Sequence, residues 1–293
     1  MRAGDPGHEA GFAMRTLKLT LAYDGTAYVG WQRQARGVSV QGLVEEALSR
    51  IDGRAVTVVS AGRTDAGVHA NGQVARAVVR SGLDVSTIHR ALNATLPPDV
   101  RVLRVDPASD TFRPRADARS KTYQYWWWNA PVSAPSVRGW CWHVRRPLDV
   151  SAMDEAARAL EGRHDVAAFQ STGTAIASTT RTVTRSRVWS ISCGPGSALS
   201  LVSRLVPIDG RFVVFEIVAD GFLRHMVRAI AGTLVEVGQG RRPPGCVPHI
   251  LASGDRTQAG PTAPARGLVL VCVNYDGADD GGADAAGVGP LCA

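Results

Sequence analysis

The chain reads as an α/β protein of the α+β type, and three observations point there. Short β-branched and apolar runs of strand length recur, at residues 16–23, 55–60, 73–79 and 100–105 in the first half and 119–128, 182–191, 212–218 and 268–273 in the second. Stretches with apolar residues at helical spacing alternate with them, so the first ~110 residues interleave strands with two helices in layers. The 293 residues, 45% hydrophobic and 20% charged, suffice for one large or two ordinary cores.

Taken in order, residues 1–13 are small and polar and read as a disordered leader. Residues 16–23 alternate apolar and polar, the mark of a half-buried strand, and end in Asp24-Gly25, a strong turn signal. The segment from Tyr28 to Gln34 is an aromatic and amide-rich loop of the kind that packs turns. Val40, Leu43, Val44, Ala47, Leu48 and Ile51 then predict a helix over 39–51. A second helix is expected from Asp84 to Leu96, with Ser86 as its N-cap and Pro97-Pro98 as its stop. The polar stretch 106–117 is the expected domain junction, giving domains at 14–115 and 116–276. It contains Phe112-Arg113-Pro114-Arg115, either a basic contact or plain linker.

In the second half, alternation along 119–128 puts Tyr123, Tyr125 and Trp127 on one face, beside Arg119 and Lys121. Such a face suits core packing or base stacking, and core packing is the stronger reading for Tyr125 and the tryptophans. A helix begins near Ser151 and ends at Gly162. His164 and Asp165 have no nucleophile near them in sequence and read as structural. Residues 194–210 form an irregular insertion. A long helix is expected from Asp220 through Val237, with Arg228 set among its apolar positions. A half-buried arginine needs an anionic partner or must reach out along the helix edge. Residues 277–293, mostly Gly, Ala and Asp, read as a flexible tail.

Net charge is +7, from 33 basic and 26 acidic residues, which suits a polyanionic partner. Only Lys18 and Lys121 are lysines. The five cysteines show neither C-x-x-C spacing nor a paired framework, arguing for a reducing cytoplasm and against structural zinc. The longest apolar run is far too short to span a bilayer.

The stretch with most chemistry is Gly62-Arg63-Thr64-Asp65-Ala66-Gly67-Val68-His69-Ala70-Asn71-Gly72-Gln73-Val74, a tight polar loop between two strands. A rigid scaffold can present a reactive group there. Asp65 is a candidate nucleophile or acid/base, Arg63 a cation to steer an anion, and His69 a possible catalytic partner. Spacing alone favours an ordinary turn whose Asp bonds its own backbone.

That stretch closely resembles the signature of the tRNA pseudouridine synthase A family, which isomerises uridines in the anticodon stem-loop of tRNA. Further motifs of the family follow in order. Tyr23-Asp24-Gly25-Thr26-x-Tyr28-x-Gly30-Trp31-Gln32 resembles its N-terminal strand and loop, Val40-Gln41 the start of its first helix, and Leu92-Asn93-Ala94-x-Leu96-Pro97 the end of its second. Lys121-Thr122-Tyr123-x-Tyr125, Phe222-Leu223-x-His225-Met226-Val227-Arg228 and Ala265-Arg266-Gly267-Leu268-x-Leu270 complete the set over residues 16–275. The resemblance implies Asp65 as catalytic nucleophile, Arg228 as its salt-bridge partner, and Tyr123 as the ring that packs on the target uracil. Arg63 would support the flipped nucleotide and Leu268 would line the pocket. It further implies a pseudouridine synthase fold, two α/β domains sharing a mixed, mostly antiparallel sheet with a central cleft. A cytoplasmic homodimer acting on tRNA positions 38–40, with neither cofactor nor metal, is implied as well. The insertion at 194–210 and the termini exceed the family pattern. The alternatives are an RNA-binding or tRNA-folding protein of the same fold, or a synthase acting on other uridines. Since uridine and pseudouridine differ by exchange of an N1–C1′ for a C5–C1′ bond, no redox step is needed. The reaction asks for a nucleophile, a surface to receive the base, and exclusion of water. His69 has no evident task in that chemistry and is expected to make a structural hydrogen bond.

Overall fold

The computed structural model describes residues 13–171, 177–193 and 210–276. Apart from Ala13 and Gly210, the expected leader, insertion and tail lie outside the described residues. Among those described, ten strands make one sheet: β1 (Arg15–Tyr23), β2 (Val58–Ser60), β3 (His69–Val79), β4 (Val100–Ala108), β5 (Ala118–Asn129), β6 (Trp142–Val144), β7 (Gly162–Asp165), β8 (Thr180–Cys193), β9 (Gly210–Ala219) and β10 (Leu268–Tyr275). Their order is β4-β1-β3-β10-β5-β9-β8-β7, with β2 on β3 and β6 on β5. These pairings are antiparallel except β3 with β10 and β5 with β6.

The α-helices of the described residues are α1 (Val40–Asp52), α2 (Val85–Thr95), α3 (Val150–Arg158), α4 (Met226–Gly238) and α5 (Cys246–Ser253). Ser39 caps α1 by accepting from Gly42 N, and Gly53 closes it at φ +71°. The cap of α2 is Asp84 rather than Ser86: its carboxylate accepts from the Thr87 N–H at 2.9 Å, while the Ser86 hydroxyl donates to that same carboxylate. Likewise α3 starts from Asp149, two residues before the expected Ser151. The expected helix over 220–237 is shorter at its start, because 220–225 is irregular and α4 begins at Met226. Leu223 is nonetheless 6% exposed, so the apolar spacing runs on past the end of the helix.

Alternating Leu17, Leu19 and Leu21 of β1 are wholly buried. Tyr125, Trp127 and Trp128 of β5 are equally buried, which makes them core. Around 106–117 the chain is more structured than a linker. β4 runs to Ala108, and Phe112 meets the Tyr275 ring edge-on, centroids 5.5 Å apart.

One glycine fixes the seat of α4. A Cβ on Gly232 would lie 1.7 Å from the Pro261 carbonyl oxygen, so only glycine lets the helix meet the chain leading into β10. Replacing Gly232 by Ala forces the two apart and should destabilise the protein by about 2–3 kcal/mol, read as a lower urea midpoint. An unchanged midpoint would contradict this packing. All five tyrosines (23, 28, 123, 125 and 275) have phenol pKa values raised, chiefly by burial, Tyr23 to about 12 and the others well above the usual range. The unfolded chain would release these protons from about pH 10 upward while the folded chain keeps them, so stability must fall as pH rises past that point. Tyrosinate absorbance should therefore appear together with alkaline unfolding. Reversible titration of several tyrosines near pH 10 in the folded protein would contradict the burial.

Candidate active site

The site forms where β3 and β10 start side by side. Their parallel register pairs Val269 with His69 and Leu270 with Ala70, so Leu268 stands beside the end of the loop that carries Asp65. On the other side of β10, Leu268 pairs with Tyr125 and Leu270 with Tyr123. Asp65, Leu268 and Tyr123, separated by up to 203 positions in sequence, are thereby gathered across three adjacent strands.

The loop is braced from several directions. Gly30 bridges Asp65 as an isolated antiparallel pair, and Trp31 N–H donates to Thr64 O at 3.0 Å. Gly30 has φ +105°, and a Cβ there would strike Thr64 O at 2.5 Å. The Tyr28–Trp31 segment is therefore a buttress, and its glycine is obligatory. Within the same bracing, Gln73 Nε2 donates to Gly62 O at 2.8 Å, and the Tyr23 and Thr64 hydroxyls meet at 2.8 Å. On the approach side, Gln41 donates to Glu45 and to Val58 O, while Glu45 accepts from Val58 N–H. This buried pair on α1 locks β2, the strand leading into the loop. His69 serves the same end: Gly25 N–H donates to its Nδ1 at 3.1 Å, leaving Nε2 for the carbonyls of Gly139 and Arg266.

Asp65 keeps 36% of its side chain exposed, enough to meet a substrate. Its Oδ2 lies 3.3 Å from Arg228 Nη1 and 3.3 Å from His225 Nε2. Arg228, only 16% exposed at its side chain, also donates from Nε to Ala263 O at 2.8 Å. With one edge of the guanidinium tied to the backbone, another is aimed at the carboxylate. Tyr123 is 7% exposed and meets the Phe222 ring edge-on at 4.9 Å. Leu268 is 6% exposed. Arg63 is exposed and, among the described residues, has no hydrogen-bond or ion-pair partner.

Sequence reasoning assigns His225 no role, although it lies within a matched motif. It is the one non-glycine residue with positive φ among the described residues, at +61°, a conformation a branched or bulky side chain avoids. Its Nδ1 lies 2.7 Å from Ser171 Oγ. Burial lowers its pKa most; Asp65 opposes that shift, while Arg228, Arg224 and Arg256 add to it. Only the neutral tautomer protonated at Nε2 can donate to Asp65 while its Nδ1 accepts from Ser171. The arrangement holds one oxygen of Asp65 from two sides and leaves the carboxylate partly open to a substrate, as a carboxylate nucleophile requires.

A family model described as tRNA pseudouridine synthase matches residues 20–115 and 156–276. The tRNA pseudouridine synthase A of Pelobacter propionicus is 44% identical over 262 residues, 89% of this chain and 100% of that protein. The Moorella thermoacetica protein of the same name is 44% identical over 264 residues, again 89% and 100%. That of Myxococcus xanthus is 45% identical over 262 residues, 89% and 92%. The braced aspartate loop, the arginine on its carboxylate and these matches agree: the chain belongs to the tRNA pseudouridine synthase family.

Proposed function

We propose that the protein converts uridine to pseudouridine at positions 38–40 of the tRNA anticodon stem-loop, with Asp65 as the nucleophile. The observation that carries this reading is the partly exposed Asp65 carboxylate with Arg228 and His225 on one oxygen, in a chain of this family. A carboxylate can hold one fragment covalently while the uracil turns from N1 to C5. Arg228 orients that carboxylate, and removing either partner would leave the other's charge poorly compensated.

The target base must leave its stack to reach Asp65. Tyr123 receives it and Leu268 supplies an apolar wall. Phe222, in the irregular segment before α4, meets the Tyr123 ring edge-on and stands beside the receiving surface. Arg63, unpaired among the described residues and two positions from Asp65, supports the displaced nucleotide. The same reading makes 14–115 and 116–276 two α/β domains that meet at the β3–β10 seam. It also makes the protein a cytoplasmic homodimer; the family resemblance supports the dimer, and light scattering of the purified protein tests it. Among the described residues no helix is long and apolar enough to cross a membrane.

Chemical mapping of pseudouridine in tRNA from cells lacking the protein tests the target. Disappearance of the modification at 38–40 is expected; disappearance at other uridines would assign a different target, and an unchanged map would leave an RNA-binding or tRNA-folding role. Tyr123→Phe should retain most of the turnover because the ring remains, whereas Tyr123→Ala should abolish it. Equal rates for the two variants would remove Tyr123 from the pocket.

A further inference from the structure

The chain's two lysines sit in opposite circumstances. Lys18 Nζ lies 4.5 Å from the centroid of the Tyr275 ring and 5.9 Å from that of Phe112, so its charge has aromatic faces to rest on. Lys121 is 8% exposed, and among the described residues no hydrogen bond, ion pair or ring reaches its ammonium. Its stem is packed in the sheet while its ammonium is left without an anion beside it among those residues, so an anion from outside can complete it.

Its neighbours sharpen that imbalance. Burial lowers the Lys121 pKa most, Arg115 and Arg181 lower it further, and Asp220 alone opposes them. Arg115 is exposed and without a partner among the described residues. The backbone just before it is anchored, since Tyr275 OH donates to Pro114 O at 2.7 Å. Arg181 donates from Nη1 to neutral acceptors, the carbonyls of Ser178 and Thr180. Asp220 already uses Oδ1 to accept from Thr182 N–H at 3.1 Å. The charges that act on Lys121 are thus two cations against one partly engaged carboxylate.

The cluster lies beside the site. Lys121 precedes Tyr123 by two residues on β5 and shares its face. Its Cε lies 3.6 Å from where a Cβ on Gly62 would stand, three residues before Asp65. Across the sheet it pairs with Ala219, which pairs in turn with Val183, two residues after Arg181.

We propose that Lys121, Arg115 and Arg181 form a seat for a phosphodiester of the RNA backbone, next to the nucleotide that enters the Asp65 cleft. The proposal rests on RNA being the substrate. A phosphodiester carries the missing negative charge, and its two non-bridging oxygens can accept from an ammonium and a guanidinium at once. The seat would grip the backbone on one side of the target while Tyr123 takes the base.

The test is the salt dependence of binding and turnover of an unmodified tRNA transcript by the full chain. Removing one cation that neutralises a phosphate lowers the slope of log K against log salt by about 0.7–0.9. Lys121→Met keeps the aliphatic stem on Gly62 and should lower the slope by about that much, raise KM several-fold and leave kcat at saturating tRNA near wild type. Lys121→Arg should restore the slope. Arg115→Gln alters an exposed side chain, so it reports even if Lys121→Met fails to fold, and it should show the same reduced slope. Arg50→Gln, which removes a cation paired with Glu46 on α1, should change nothing. A wild-type slope in either folded variant, Lys121→Met or Arg115→Gln, would overturn the seat while leaving the synthase reading intact. A wild-type protein that neither binds nor converts the transcript would overturn that reading, and the seat with it.

Discussion

Everything at the site depends on two residue pairs, Val269 with His69 and Leu270 with Ala70, where β10 joins β3 in parallel. Nearly all the rest of the sheet is antiparallel. This seam joins a strand near residue 270 to one near residue 70, and it does so at the ends from which both strands start. The loop before β3 and the first residue of β10 are thereby forced together, and the antiparallel step from β10 to β5 adds Tyr123. Such a pairing closes a very long loop, an entropic cost that grows slowly with length and must be offset by burial. Here the burial comes from Leu268, Leu270 and Tyr125, all 6% exposed or less.

Charge is distributed around that seam with a consistent logic. Arg228 is largely buried, and it is tied both to a backbone carbonyl and to Asp65. His225 reaches the same oxygen from a left-handed backbone conformation, held by Ser171. The carboxylate is thus oriented by groups that cannot easily move, while part of it stays open to a substrate. The cations further out, Arg63 and the Lys121 cluster, have no comparable partners among the described residues. Positive charge at the centre is compensated within the protein, as it is at exposed pairs such as Arg50 with Glu46, whereas Arg63 has no partner among the described residues.

Much of this is legible in the sequence because it is local. Alternation marks the strands, apolar spacing marks the helices, and the glycine-flanked aspartate marks the loop. What escapes are features decided by tertiary contact. The start of α4 is hidden because Leu223 is buried without being helical, so periodicity cannot mark the boundary. The caps of α2 and α3 fall on aspartates two residues upstream of the serines expected, because a carboxylate there reaches the free N–H groups of the first turn. His225 leaves no periodic trace, since its positive φ and its hydrogen bond to a residue 54 positions away are both set by the fold. Lys121 stands out in the sequence only as one of two lysines; its isolation is a property of the folded sheet.

If the Asp65 carboxylate performs the chemistry and does not merely shape the loop, its loss must stop the reaction in a protein that still folds and binds. Single-turnover kinetics of Asp65→Asn on a tRNA transcript test it most directly, because the amide keeps size and most hydrogen bonding but cannot serve as the nucleophile. Pseudouridine formation should fall by at least about 10⁴-fold, with tRNA affinity within a few-fold of wild type. Conversion by the folded Asn variant at a rate near wild type would contradict it.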